Sequence, residues 1–159
     1  MKKILILVCG ALFFATSCLS GSGPQGTSSA DYVGKLVVSD IESGDVTYTD
    51  DNAKVTVWIP NLLEPKFDIV FNDVKFANAM PVKLDIEFDG IPFTTTISED
   101  QTTLNYVFSA NDIIPNVGGV PYNNYKVDVI KGSIGRPVVI EFSMSSKGSK
   151  VHFTTATQE

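Results

Sequence analysis

Three carboxylates alternate along one short segment: Asp85, Glu87 and Asp89. In an extended chain alternate side chains share a face about 6.6–6.8 Å apart. Two neighbours could therefore act as a general acid and base, or bracket a hard cation. A solvated strand face that discourages edge pairing uses the same residues, with Lys75 or Lys83 as cross-strand partners. A second acidic run, Asp50-Asp51-Asn52, could hold Ca²⁺, but it lacks the spacing of an EF-hand loop and suits a tight hairpin turn. His152 is the sole histidine, so a Ser–His or Cys–His mechanism would need it as base. Val151 and Phe153 flank it, which turns it to the opposite, solvent-facing side of a strand, and no Gly-x-Ser-x-Gly elbow accompanies it. With 2 Cys and 1 His, a Cys/His metal cage is nearly excluded. No nucleophile–base pair, phosphate loop or metal cluster stands out, so neither an enzyme nor a cofactor is expected.

Three aromatic residues could instead make contacts. Trp58 faces opposite Val55, Val57 and Ile59, in line with Thr56. If that trio faces the core, Trp58 points outward and marks a contact surface; with the parity reversed, it floors the interior. Tyr122 and Tyr125 flank Asn123-Asn124 beside a long loop, a composition suited to adaptable recognition.

Cys18 belongs to a different chemistry. Met1-Lys2-Lys3 is basic, and residues 4–15 form an apolar run broken only by Gly10. Spanning a bilayer takes roughly 20 apolar residues, so this run is too short for a stable span and has the length of an export-signal core. Ala15-Thr16-Ser17 then precede Cys18. This ending resembles the lipobox of bacterial lipoproteins, in the Thr-Ser-Cys variant of Bacteroidetes. The resemblance implies residues 1–17 as a cleaved signal and diacylation of the Cys18 sulfur, with acylation of the new amino group. Two or more acyl chains anchor stably where one does not. Cys9 leaves with the signal, so no intramolecular disulfide can form. Loss of Lys2 and Lys3 deepens the net charge from -6 to -8. Such a balance disfavours nucleic acid as a partner.

Residues 18–30 read as the lipidated Cys and a Gly/Ser-rich tether, a coil of about 20 Å. From residue 31 to 159 the chain reads as one domain rich in strand formers. After the signal, 17 Val, 11 Ile and 12 Thr outnumber Ala and Leu by more than three to one, which favours strands over helices. Alternation marks residues 32–39, 45–49, 55–59, 67–71, 84–88, 92–97, 104–108, 126–130, 138–143 and 151–153 as strands. Asp50-Asp51-Asn52 and Asp89-Gly90 are expected hairpin turns. Phe67, Ile69 and Phe71 are odd whereas Val74 and Phe76 are even, so a bulge or turn must sit at Asn72-Asp73. Residues 114–124 hold two Pro and two Gly and form the longest irregular stretch.

Short, evenly spaced strands suggest a single antiparallel β-barrel of about eight strands, with a β-sandwich as the alternative. Tyr32-Val33-Gly34-Lys35-Leu36 after the tether, Val74-Lys75-Phe76 followed by Met80-Pro81-Val82, Gly118-Gly119-Val120-Pro121-Tyr122, Tyr125-Lys126-Val127 and Lys131-Gly132-Ser133-Ile134 carry a further resemblance. Together they are similar to the calycin-like (lipocalin-like) β-barrel lipoproteins of Bacteroides and related Bacteroidetes. The resemblance implies a closed barrel in the cell envelope, lipid-anchored at the outer membrane. It carries no established activity and no functional residues to transfer. Two functions remain open: an anchored barrel binding a small apolar ligand, or a structural lipoprotein that docks an envelope partner and has no ligand cavity. The membrane, through the anchor, is the expected partner in both.

Overall fold

A computed structural model describes residues 28–61, 63–76, 80–97 and 103–156. Cys18, the signal and tether residues up to 27 lie outside the described residues. Among the described residues ten strands follow in chain order: β1 (Ser28–Asp40), β2 (Val46–Ile59), β3 (Lys66–Val74), β4 (Leu84–Ile97), β5 (Leu104–Ile113), β6 (Asn116–Val117), β7 (Val120–Pro121), β8 (Val127–Ile134), β9 (Val139–Met144) and β10 (Ser149–Thr154). Among the described residues the helical elements are two three-residue 3₁₀ turns.

Every strand pairing is antiparallel. The order β3-β2-β1-β10-β9-β8-β5-β4 closes on itself through β3–β4, so eight strands form a closed barrel rather than a sandwich. β4 pairs with β5 only from Phe93 to Ile97, while its earlier residue Glu87 pairs with Asn116 of β6. The β6–β7 hairpin thus fills the seam where β5 leaves β4 to join β8. One rim carries Ser28, Ile59, Lys66, Ile97 and Ile134 and is called the tether end; the other carries Asp40, Val46, Val74, Leu84 and Met144 and is the far end.

Alternation puts every second side chain inside, as expected. Val55 and Val57, Ile86 and Phe88, Ile140 and Phe142, and Val151 and Phe153 are all buried. Phenylalanine fills the lumen. Phe71 lies at its centre, edge-on to Phe76, Phe88, Phe142 and Phe153 at centroid distances of 5.2, 6.0, 5.6 and 6.0 Å. Such pairs each add about 0.5–1.5 kcal/mol beyond the area they bury. Phe76 and Met80 are buried and close the far end, with the Phe76 N–H donating to the Met80 sulfur at 3.1 Å.

Bulges account for the corrections to the strand list. Gly34 pairs with Ala53 and Leu36 with Asp50, so Asp51-Asn52 oppose the single residue Lys35. Asp50-Asp51-Asn52 is therefore not a hairpin, and residues 45–49 and 55–59 belong to one strand. Phe67 pairs with Ile91 and Ile69 with Phe88, so Asp89-Gly90 oppose Asp68 and likewise form a bulge within β4 rather than a hairpin. Gly90 adopts φ 64°, the left-handed conformation that glycine accepts most easily. At Asn72-Asp73 the expected break is a bulge opposite Asp85, with Asp73 at φ 51°.

Two boundaries also move. β1 starts at Ser28, which pairs with Ile59, so residues 28–30 are strand and not tether. Ladder hydrogen bonds come from the backbone, and small polar side chains do not prevent them. The stretch 114–124 is not irregular throughout: Gly118 and Gly119, both with positive φ, turn the β6–β7 hairpin.

Candidate functional site: an acidic notch on the outer wall

Asp68 follows Phe67 on β3 and precedes Ile69, both of which point inward, so its carboxyl faces outward. It is nevertheless only 8% exposed. The Asp89-Gly90 bulge turns the Gly90 N–H onto it, and that group donates to Asp68 Oδ1 at 2.7 Å. Glu87 and Asp89 reach the same place from β4. One oxygen from each of Asp68, Glu87 and Asp89 lies within 4.8 Å of the others. The Asn116 side-chain amide of β6 donates to Asp89 Oδ2, which ties the hairpin to the notch.

Three close carboxyls repel each other when charged. Burial pushes the Asp68 carboxyl above its usual range, and the Asp89 charge adds to the rise. Burial also raises Glu87, followed by the charges of Asp89 and Asp68 and a carboxyl–carboxyl hydrogen bond to Asp89. Groups arranged this way can share a proton, act as a general acid or take a hard cation.

Of the alternating trio, Glu87 and Asp89 belong to this notch and Asp85 does not. Asp85 accepts the Asp73 N–H at 2.8 Å, at the neighbouring bulge. Asp68 was the member that sequence reasoning missed, because it arrives through cross-strand register. Lys83 does not neutralise the notch: its ammonium lies 3.1 Å from Asp50 and 3.9 Å from Asp73. No ion pair joins Lys75 to the notch among the described residues.

The other candidates are scattered. Asp50 accepts hydrogen bonds from the Asn52 N–H, Lys83 and the Tyr48 hydroxyl, which outweigh burial and hold it below the usual range. Asp51 pairs with Lys35 at 3.2 Å, so this acidic run is engaged by bulge and ion-pair chemistry. His152 faces outward, half-buried, with Nδ1 3.0 Å from Glu141 Oε1 on β9. Trp58 also points outward, since Val55 and Val57 face the core; its ladder partner on β3 is Asp68, which sets the indole beside the notch.

Tyr122 and Tyr125 do come together, at the far end. Their rings stack at 5.0 Å with 9° between planes, and Lys147 Nζ lies 4.8 Å from the Tyr125 centroid. Burial, then Tyr122, raises the Tyr125 hydroxyl above its ordinary range. The 3₁₀ turn at Asn123–Tyr125 fixes this pair, because the Tyr125 N–H donates to the Tyr122 carbonyl at 3.0 Å.

At the tether end the interior holds an apolar cavity of about 30 Å³, lined by Tyr32, Val57, Ile59, Phe67, Tyr106 and Ile134 with Ser28 and Ala30 at its edge. That is room for a few waters at most, whereas small-molecule pockets run to about 300–1,000 Å³. No protein-family model, curated protein or solved structure matches this chain.

Proposed function

We propose that the chain is a lipid-anchored envelope lipoprotein of the calycin-like barrel type, held at the outer membrane through Cys18, that works through its outer surface by docking an envelope partner. The observation that carries the docking half is the phenylalanine-filled lumen: Phe71, Phe76, Phe88, Phe142 and Phe153 occupy the space a carrier leaves for cargo. The anchoring half rests on the short apolar run ending in Ala15-Thr16-Ser17-Cys18. Rigid aromatic residues at the far end, Tyr122 and Tyr125, are the contact residues this reading favours, with Trp58 on the wall as a second contact. We assign no catalysis to the chain.

A carrier of a small apolar molecule is the second reading, favoured by the apolar cavity at the tether end. Native mass spectrometry of the purified full chain separates the two. The docking reading expects a mass equal to protein plus acyl groups. A stoichiometric apolar molecule beyond those groups would establish the carrier. Labelled fatty acid should enter the wild-type chain and not Cys18→Ala; continued labelling of that variant would remove the anchor.

A further inference from the structure

We infer that the tether end of the barrel is a membrane-contact surface, with Leu63, Ile97 and Leu104 as its apolar contacts. The inference rests on the proposed anchor at Cys18. Leu63 is 92% exposed, Ile97 67% and Leu104 44%. Ile97 and Leu104 are ladder partners, so their side chains stand together where β4 and β5 run past β3. The turn that carries Leu63 is held against β4 at the same end of the barrel, four residues short of Ile97, because the Phe93 N–H donates to the Pro65 carbonyl at 2.9 Å. The apolar cavity opens on the same rim.

Exposure alone does not choose this end, since Val82, Val120 and Tyr122 are exposed at the other. Chain length chooses it. Ten peptide steps separate Cys18 from Ser28 and reach at most about 35 Å. The 14 residues of β2 run the height of the barrel, about 35 Å along an axis to which strands tilt by about 40°. Setting the far end on the bilayer would lift Ser28 to that height and draw the intervening chain taut. With the tether end down, Ser28 starts beside the membrane and no such stretching is required. Glu64 and Lys66 pair at 3.4 Å, and Arg136 adds a single positive charge on a chain whose net charge without the signal is -8. Attraction to anionic headgroups therefore does not drive the contact, and a neutral phosphatidylcholine surface suffices.

The test uses the full chain, processed in its host and reconstituted in phosphatidylcholine vesicles, with some vesicles carrying nitroxide-labelled acyl chains. An acylated Cys18 leaves no free thiol, so Leu63→Cys and Val120→Cys each accept one environment-sensitive dye. Flotation with the vesicles reads the anchor; quenching reads the contact. The expected result is flotation of both variants, with several-fold stronger quenching at position 63 than at position 120, unchanged by added salt. Flotation with equal quenching at the two positions, or with quenching confined to position 120, overturns the contact and leaves the anchor standing. Failure to float, together with no incorporated fatty acid, removes the anchor and the contact with it.

Discussion

Glu87 holds its proton to higher pH in the folded barrel than in the unfolded chain, chiefly through burial and then through Asp89 and Asp68. A folded-state pKa above the unfolded value means that folding takes up a proton between the two. The resulting stability is present below the ordinary carboxylate pKa and lost as pH rises through the raised one. Above the raised value the ionised notch opposes folding, and there Glu87→Gln should stabilise the chain by about 0.5 kcal/mol, the size of one like-charge contact across strands. That is about 1–2 °C in melting temperature, read by calorimetry. Near pH 4 the gain should shrink, because Glu87 is then increasingly protonated in the native state. A loss of stability above the raised value would mean instead that a cation holds the notch together. Only part of the notch was legible in the sequence. Glu87 and Asp89 announce themselves by alternation, but Asp68 joins them through the β3–β4 register, and the bulge at Asp73 draws Asp85 away.

Two glycines separate what an element needs from what a turn residue merely permits. Gly132 of β8 lies against β9, where an added Cβ would sit 2.0 Å from the Val139 carbonyl oxygen and 2.9 Å from the Phe108 ring. Backbone cannot yield as a flexible side chain does, so Gly132→Ala should cost about 3 kcal/mol. Gly90 has nothing within 4 Å of its would-be Cβ, and only its positive φ opposes substitution. Gly90→Ala should therefore cost about 1 kcal/mol. Urea unfolding of both variants checks the order, and equal losses would contradict it. The same bulge shows why ten expected strands became eight barrel strands. A two-residue hairpin at Asp89-Gly90 would place Phe88 and Ile91 on one face, and so does a two-residue bulge. Inside–outside parity is blind to the difference, and Asp, Asn and Gly supply the required φ in either case. At Asn72-Asp73 the parity slip was sufficient, because a bulge was already among its two explanations.

The all-β fold and its strand number were legible in the alternating Val, Ile, Thr and Phe pattern, but a sandwich shares that pattern, and the β3–β4 pairing is what closes the barrel. Whether the lumen is full was legible only as a leaning, since many bulky inward Phe favour a filled interior without excluding a cavity; ring-to-ring geometry decides it. Phe71 is the place to test the consequence. Its ring meets four others and is fully buried. Phe71→Ala should lower stability by about 3–5 kcal/mol, the transfer term plus the cavity left behind. A typical domain holds about 5–15 kcal/mol, so the variant stays folded only if the wild type lies away from the lower limit. Phe71→Leu, with much of the volume kept, gives a milder companion at about 1–2 kcal/mol. The void in the Ala variant is walled by Phe76, Phe88, Phe142 and Phe153, an apolar space of about 100 Å³ that stays dry and suits benzene. Benzene should accordingly raise the melting temperature of Phe71→Ala and leave the wild type unmoved. A wild-type shift of equal size would show that the native lumen already admits an apolar guest, and would favour the carrier over the docking barrel.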